Sequence, residues 1–220
     1  MKGEDEIMKN LYAELSEYTG KDLTLVEARC QVANIEQAWR WSEKKEWLDD
    51  PLKGYREDDL YTFDLTHYQM RLQKMGFHDW LRKMIKDHGW KTGLDYGGGI
   101  GEYTIVAVNE GVDMTFCEVD FSKTIEYAVW RFNKYNIMPK LVFENYKIDR
   151  DFDFIVAMDV FEHMVDPKPV IKAVAEHTKF LFCNPYEIQF NWLYPQHISK
   201  YTLEPYFEKV EGYLWRRIDD

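Results

Sequence analysis

The 220-residue chain has room for one ordinary domain and an added helical piece, and shares of 45% hydrophobic and 30% charged residues exclude a disordered chain. A formal net charge of −11 argues against nucleic acid and anionic membranes as partners, because both are bound by clustered Lys and Arg. The places to look for a local basic patch are Arg216-Arg217 and the stretch 83–91, and no run of basic residues interleaved with aromatics makes one convincing.

Cys30, Cys117 and Cys183 are an odd number at wide spacings, which supports neither a disulfide framework nor a metal cluster. Their apolar surroundings read as buried free thiols. Residues 1–6 are acidic and lack the apolar stretch of a signal peptide, and no apolar run approaches bilayer length. The expected compartment is a reducing cytoplasm, with no membrane partner.

In chain order, Ile7, Leu11, Leu15 and Tyr18 recur at helical spacing, and Gly20 supplies a stop. Thr24-Leu25-Val26-Glu27 reads as a capping box for a second helix. Its expected inner face is the stripe Leu25, Ala28, Val32, Ile35 and Trp39. The stretch 51–59 is polar, carries Gly54 and reads as a loop. Helical patterns resume near Tyr61 and again over 77–88, where Gly89 stops the chain. After Gly89 the period changes. Short apolar runs at 92–96, 114–119, 140–143, 152–158 and 179–183 alternate with helical segments at 102–109, 122–135, 167–176 and 202–208. The piece 210–218 reads as a closing strand or hairpin. This alternation predicts an α/β domain over 76–220, a doubly wound, mainly parallel Rossmann-like sheet, preceded by an N-terminal helical cap over 1–75.

The run Asp95-Tyr96-Gly97-Gly98-Gly99-Ile100-Gly101 follows a strand and opens a helix. Such a corner needs glycine, since Cβ atoms would obstruct both the turn and a ligand lying on the backbone. A dinucleotide frame would use Gly97, Gly99 and Glu102, placing a carboxylate against a pyrophosphate, and electrostatics disfavours it. The frame Asp95, Gly97, Gly99, Gly101 resembles the first motif of the class I S-adenosylmethionine-dependent methyltransferases. The resemblance runs from about residue 91 to 201. It implies S-adenosyl-L-methionine as cofactor, with Asp95 near the methionyl ammonium.

Downstream, Glu118-Val119-Asp120-Phe121-Ser122 is similar to the family's second motif. The resemblance implies Asp120 at the ribose hydroxyls, with Glu118 as rival, and Phe121 against the adenine. Glu144-Asn145 stands where the family touches the adenine amino group. The stretch Met158-Asp159-Val160-Phe161-Glu162-His163 is similar to the family's fourth strand and its Glu-His continuation, which puts Met158 and Asp159 beside the sulfonium end. The short link between 143 and 153 leaves little room for the family's usual helix.

Methyl transfer to a hydroxyl or amine is helped by a base, and His titrates nearest neutrality. His163 and His197 are therefore the catalytic candidates. The aromatic-rich stretch 185–197 reads as a wall of the acceptor pocket, equally as packing against the N-terminal helices. Tyr61, His67 and Tyr68 are candidates for closing the cofactor site from the cap. No His, Cys or carboxylate spacing suggests a metal. The expected activity is methyl transfer to an O or N atom of a small molecule. A protein-directed enzyme and a non-catalytic cofactor-binding scaffold are the alternatives.

Overall fold

The structure, a computed structural model, describes residues 2–184, 195–204 and 206–218. The short apolar runs after Gly89 form five parallel strands: β1 (Thr92–Tyr96), β2 (Asp113–Glu118), β3 (Lys140–Phe143), β4 (Phe152–Ala157) and β5 (Thr178–Cys183). An antiparallel hairpin, β6 (Phe207–Glu211) and β7 (Leu214–Arg217), extends the sheet through β7 to give the order β3-β2-β1-β4-β5-β7-β6. Phe154, Ile155, Val156 and Ala157 of β4 are wholly buried, as a strand covered on both faces requires.

The crossovers carry α7 (Glu102–Asn109), α8 (Lys123–Lys134) and α9 (Lys168–His177). One core layer gathers Leu94, Ile155, Phe161, Ile171 and Leu181. Another packs Phe77, Leu81, Trp90, Phe154 and Phe182. The order of connection reverses between β1 and β4, and ligands of open α/β sheets lie outside the carboxyl ends of the strands at such a point.

Six helices precede the sheet: α1 (Lys2–Thr19), α2 (Leu23–Glu43), α3 (Lys45–Asp49), α4 (Pro51–Glu57), α5 (Tyr61–Lys74) and α6 (Phe77–His88). Gly20 and Gly89 stop α1 and α6 with φ of +65° each. All three cysteines are free and buried. No helix among the described residues is long and apolar enough to cross a membrane.

Four local expectations are corrected. Helix α2 is capped by Asp22, whose side chain accepts from Thr24 N at 2.9 Å, so the Thr24 capping box is not the start signal. Its inner face is Val26, Cys30, Ala33, Gln37, Ala38 and Trp41. The expected stripe instead faces solvent, with Leu25, Val32, Ile35 and Trp39 all exposed. Small side chains on the true inner face let α2 settle closely on its neighbours, and Trp41 meets Trp47 edge-on and Tyr55 at a tilt.

Residues 51–57 are helical. Asp50 accepts from Lys53 N at 3.3 Å as the N-cap, and Pro51 occupies the first turn, where its missing N–H costs nothing. Finally, 202–208 holds no helix among its described residues: Phe207 N bonds Leu203 O, and β6 begins at Phe207.

Candidate functional site

Gly97, Gly99 and Gly101 adopt φ of +69°, +57° and +77°, conformations that L side chains rarely take. Gly98 is not among the residues with positive φ, so the backbone itself selects the frame 97, 99, 101. The N–H groups of Gly97 and Gly98 donate to Cys117 O at 2.8 and 3.1 Å, which holds the turn against β2. A Cβ on Gly97 would lie 2.6 Å from Val160 Cγ2, and one on Gly99 would lie 2.9 Å from Leu65 Cδ1. Gly101 has a different duty, since a Cβ there would strike the ring of Phe132 on α8.

Asp95 is 1% exposed, and its Oδ2 accepts from Thr104 N at 3.1 Å and Thr104 Oγ1 at 2.8 Å. It ties the end of β1 to the first turn of α7. Burial pushes its carboxyl up to about 7 despite those two donors. Glu102, the residue that disfavoured a pyrophosphate, is buried and paired with Arg131. Burial alone would raise its pKa; Arg131 and then His78 hold it below the ordinary carboxylate value.

A cavity of about 330 Å³ opens over the turn, a size typical of small-ligand pockets. Gly97, Gly99, Glu118, Glu144, Asn145, Met158 and Asp159 line its sheet side. Pro51, Leu52, Tyr55, Tyr61 and Leu65 line it from α4 and α5. Glu118 ends β2 and accepts from Gly99 N and Val119 N, yet burial still raises its pKa. Asp159 follows β4 in the left-handed region, φ +53°, and accepts from Asn184 Nδ2. Burial raises the pKa of Asp159 as well. Since β2 and β4 flank β1, Glu118 and Asp159 approach the glycine turn from the strands on either side of it.

The structure thus brings Gly97, Gly99, Glu144, Asn145, Met158, Asp159 and His163 to one cavity. It sets other candidates elsewhere. Asp120 offers its backbone, N–H to Glu144 Oε2 at 2.8 Å and C=O to Arg56 Nε at 3.1 Å. Phe121 is 79% exposed with φ +57°, and its neighbour Val119 lines the cavity in its stead. Tyr68 packs against the core and is not in the cavity wall, but its hydroxyl hydrogen-bonds Asp159, which is. His67 bonds Tyr12 Oη at 2.8 Å, away from the cavity. Phe190, Trp192 and Tyr194 fall outside the described residues.

The contribution of α4 was missed by reading 51–59 as a loop, although Asp50-Pro51 is an N-cap followed by a first-turn proline. Arg56 latches this helix to the sheet through Glu144 and Asp120 O.

Both catalytic candidates are half-buried imidazoles. His163 Nδ1 lies 2.7 Å from Tyr55 Oη and 3.2 Å from Gln196 O, and its ring meets that of His197 edge-on at 4.7 Å. Burial, then the neighbouring His197, pushes His163 down to about 3, and burial pushes His197 down to about 4. That burial favours the neutral form of both rings. With Glu162 they form a group whose ligand-type atoms lie within 4.8 Å of one another, although no sequence spacing suggested a metal set.

A family model described as a methyltransferase domain matches residues 67–186, more than half of the chain. No curated protein matches. Among solved structures, the chain is similar to an S-adenosylmethionine-dependent methyltransferase from Clostridium acetobutylicum, at 21% identity over 50% of each chain with a TM-score of 0.43. It is also similar to a putative sarcosine dimethylglycine methyltransferase from Galdieria sulphuraria, at 19% identity over 52% of this chain and 48% of that one, TM-score 0.44. For magnesium protoporphyrin IX methyltransferase from Synechocystis, with S-adenosylhomocysteine bound, the identity is 15% over 57% and 62%, TM-score 0.45. The chain spans about half the length of the first of these.

Proposed function

The chain belongs to the methyltransferase-domain family, and from that membership we propose that it is a class I enzyme transferring methyl from S-adenosylmethionine to a small molecule in the cytoplasm. The observation that carries the cofactor reading is the pair Glu118 and Asp159 on either side of the turn formed by Gly97 and Gly99. The cofactor presents a ribose diol and a methionyl ammonium. Glu118 suits the diol and Asp159 the ammonium, because buried carboxylates accept hydrogen bonds and are stabilised by a cation. Asp95, engaged by Thr104, acts one step removed, by setting the turn. Glu144 and Asn145 lie next to Glu118 at the cavity wall, where they suit the adenine amino group.

Transfer itself is a displacement on the sulfonium, and its main requirement is alignment of the acceptor with the methyl carbon at roughly 3–3.5 Å. Tyr55, Val160, His163, Met164 and Val165 line the same cavity as Met158 and Asp159 and are mostly apolar with a few polar groups. That lining and the acidity of Glu118, Glu144 and Asp159 favour a small neutral or cationic O or N acceptor over a nucleic acid.

The test is turnover. The full chain is incubated with S-adenosylmethionine and a panel of small alcohols, phenols and amines, and S-adenosylhomocysteine is quantified. Acceptor-dependent formation supports the reading. Methyl appearing on added protein or RNA, with none on small molecules, overturns the acceptor class.

A further inference from the structure

Glu162 and His163 share the 3-10 turn Phe161–His163 that follows β4, while His197 lies beyond β5. The two segments are pinned together by the backbone, since Ile198 N and Ser199 N both donate to Glu162 O, at 2.9 and 3.0 Å. Ser199 Oγ adds a bond to Val165 O at 3.1 Å. We propose that Glu162, His163 and His197 form a divalent-cation site in the wall of the cavity, and that the methyl acceptor is a hydroxyl compound whose oxygen this cation holds. The acceptor half rests on the methyltransferase reading; the cation site does not.

Four observations converge. The three ligand-type atoms lie within 4.8 Å of one another, and ligands about 2.1 Å from one ion stand roughly 3–4 Å apart, so small side-chain adjustments close the set. Second, His163 Nδ1 sits between Tyr55 Oη at 2.7 Å and Gln196 O at 3.2 Å, and the tautomer that donates to the carbonyl carries its lone pair on Nε2, open to a cation. A ring N–H held by a carbonyl is the usual support of a metal-binding imidazole.

Third, Glu162 is 3% exposed, and no N–H or O–H donor among the described residues reaches its Oε2. Fourth, His163 and Asp159 both line the cavity, so an ion at this place would touch whatever sits beside Met158.

Two imidazoles and a carboxylate favour a first-row transition cation over calcium, which prefers all-oxygen cages. Held there, a hydroxyl acceptor is acidified and releases its proton to water. Its oxygen forms the new bond to the methyl carbon as the carbon–sulfur bond breaks, and the electron pair leaves on sulfur as S-adenosylhomocysteine.

The full chain, stripped with a chelator, is titrated with Mn2+ followed by paramagnetic resonance and with Co2+ followed by visible absorption. One equivalent should bind, at least about 10-fold more weakly in His197→Ala and Glu162→Gln. His197→Ala alone decides the point if Glu162→Gln does not fold. Uptake unchanged in His197→Ala, or no uptake, overturns the site. S-adenosylmethionine is titrated separately onto the stripped protein. Cofactor binding without cation binding removes the proposal and leaves the methyltransferase reading standing. Cation binding without cofactor binding removes the acceptor half and that reading together.

Discussion

Replacing Arg131 by methionine is expected to destabilise the protein by about 3–5 kcal/mol, the loss typical of breaking a buried ion pair from one side. Arg131 is 1% exposed on α8 and reaches in three directions. Its Nε donates to Glu14 of α1 at 2.9 Å, its Nη1 to Ile100 O inside the glycine turn at 2.8 Å, and its Nη2 to Glu102. Without it two buried carboxylates lose a cationic partner and the carbonyl of Ile100 a donor, all at once. Urea unfolding followed by tryptophan fluorescence measures the loss. Adding Glu102→Gln to the variant should recover part of it, because one stranded charge is removed. A loss below about 1 kcal/mol would show that water reaches the pair. Since Arg131 joins α1 to the turn, the N-terminal helices and the cofactor corner are expected to lose structure in one transition.

The second large effect falls on binding. Glu118→Ala should weaken S-adenosylmethionine by about 1–3 kcal/mol, roughly 5- to 150-fold, as expected for losing hydrogen bonds to a buried charged group. Asp120→Ala should change it by less than about 0.5 kcal/mol, the range of surface substitutions, because Asp120 contributes backbone and its side chain does not line the cavity. Calorimetry on both variants reads the contrast, with melting curves to confirm that each is folded. The reverse ranking would return the ribose to Asp120, the residue favoured by motif resemblance.

The contrast between Glu118 and Asp120 marks where the sequence was legible and where it was not. The strands and the glycine corner could be read because they rest on local rules: a change of period after Gly89, and positions of positive φ that only glycine fills cheaply. The choice between Glu118 and Asp120 depends on which residue is the last to pair in β2, a matter of register with β1 and β3 that no local pattern fixes. The inner face of α2 failed for a related reason. Both of its faces carry helical periodicity, and the more apolar stripe proved to be the outer one, while Cys30, Ala33 and Ala38 pack by being small. The grouping of Glu162 with His163 and His197 joins two segments separated by α9 and β5, so no spacing rule reveals it. For 202–208, Pro205 lacks the N–H that a continuing helix needs, a signal outweighed by the alternation of the preceding elements.

The central claim is that the cavity over Gly97 and Gly99 is a site for S-adenosylmethionine. Calorimetric titration of the unmodified chain with that compound, then in a separate cell with NAD, tests it most directly. The account predicts one saturable site for S-adenosylmethionine and no binding of NAD, whose pyrophosphate would meet Glu118 and Asp159 at the cavity wall. Saturable NAD binding with no heat from S-adenosylmethionine would contradict it.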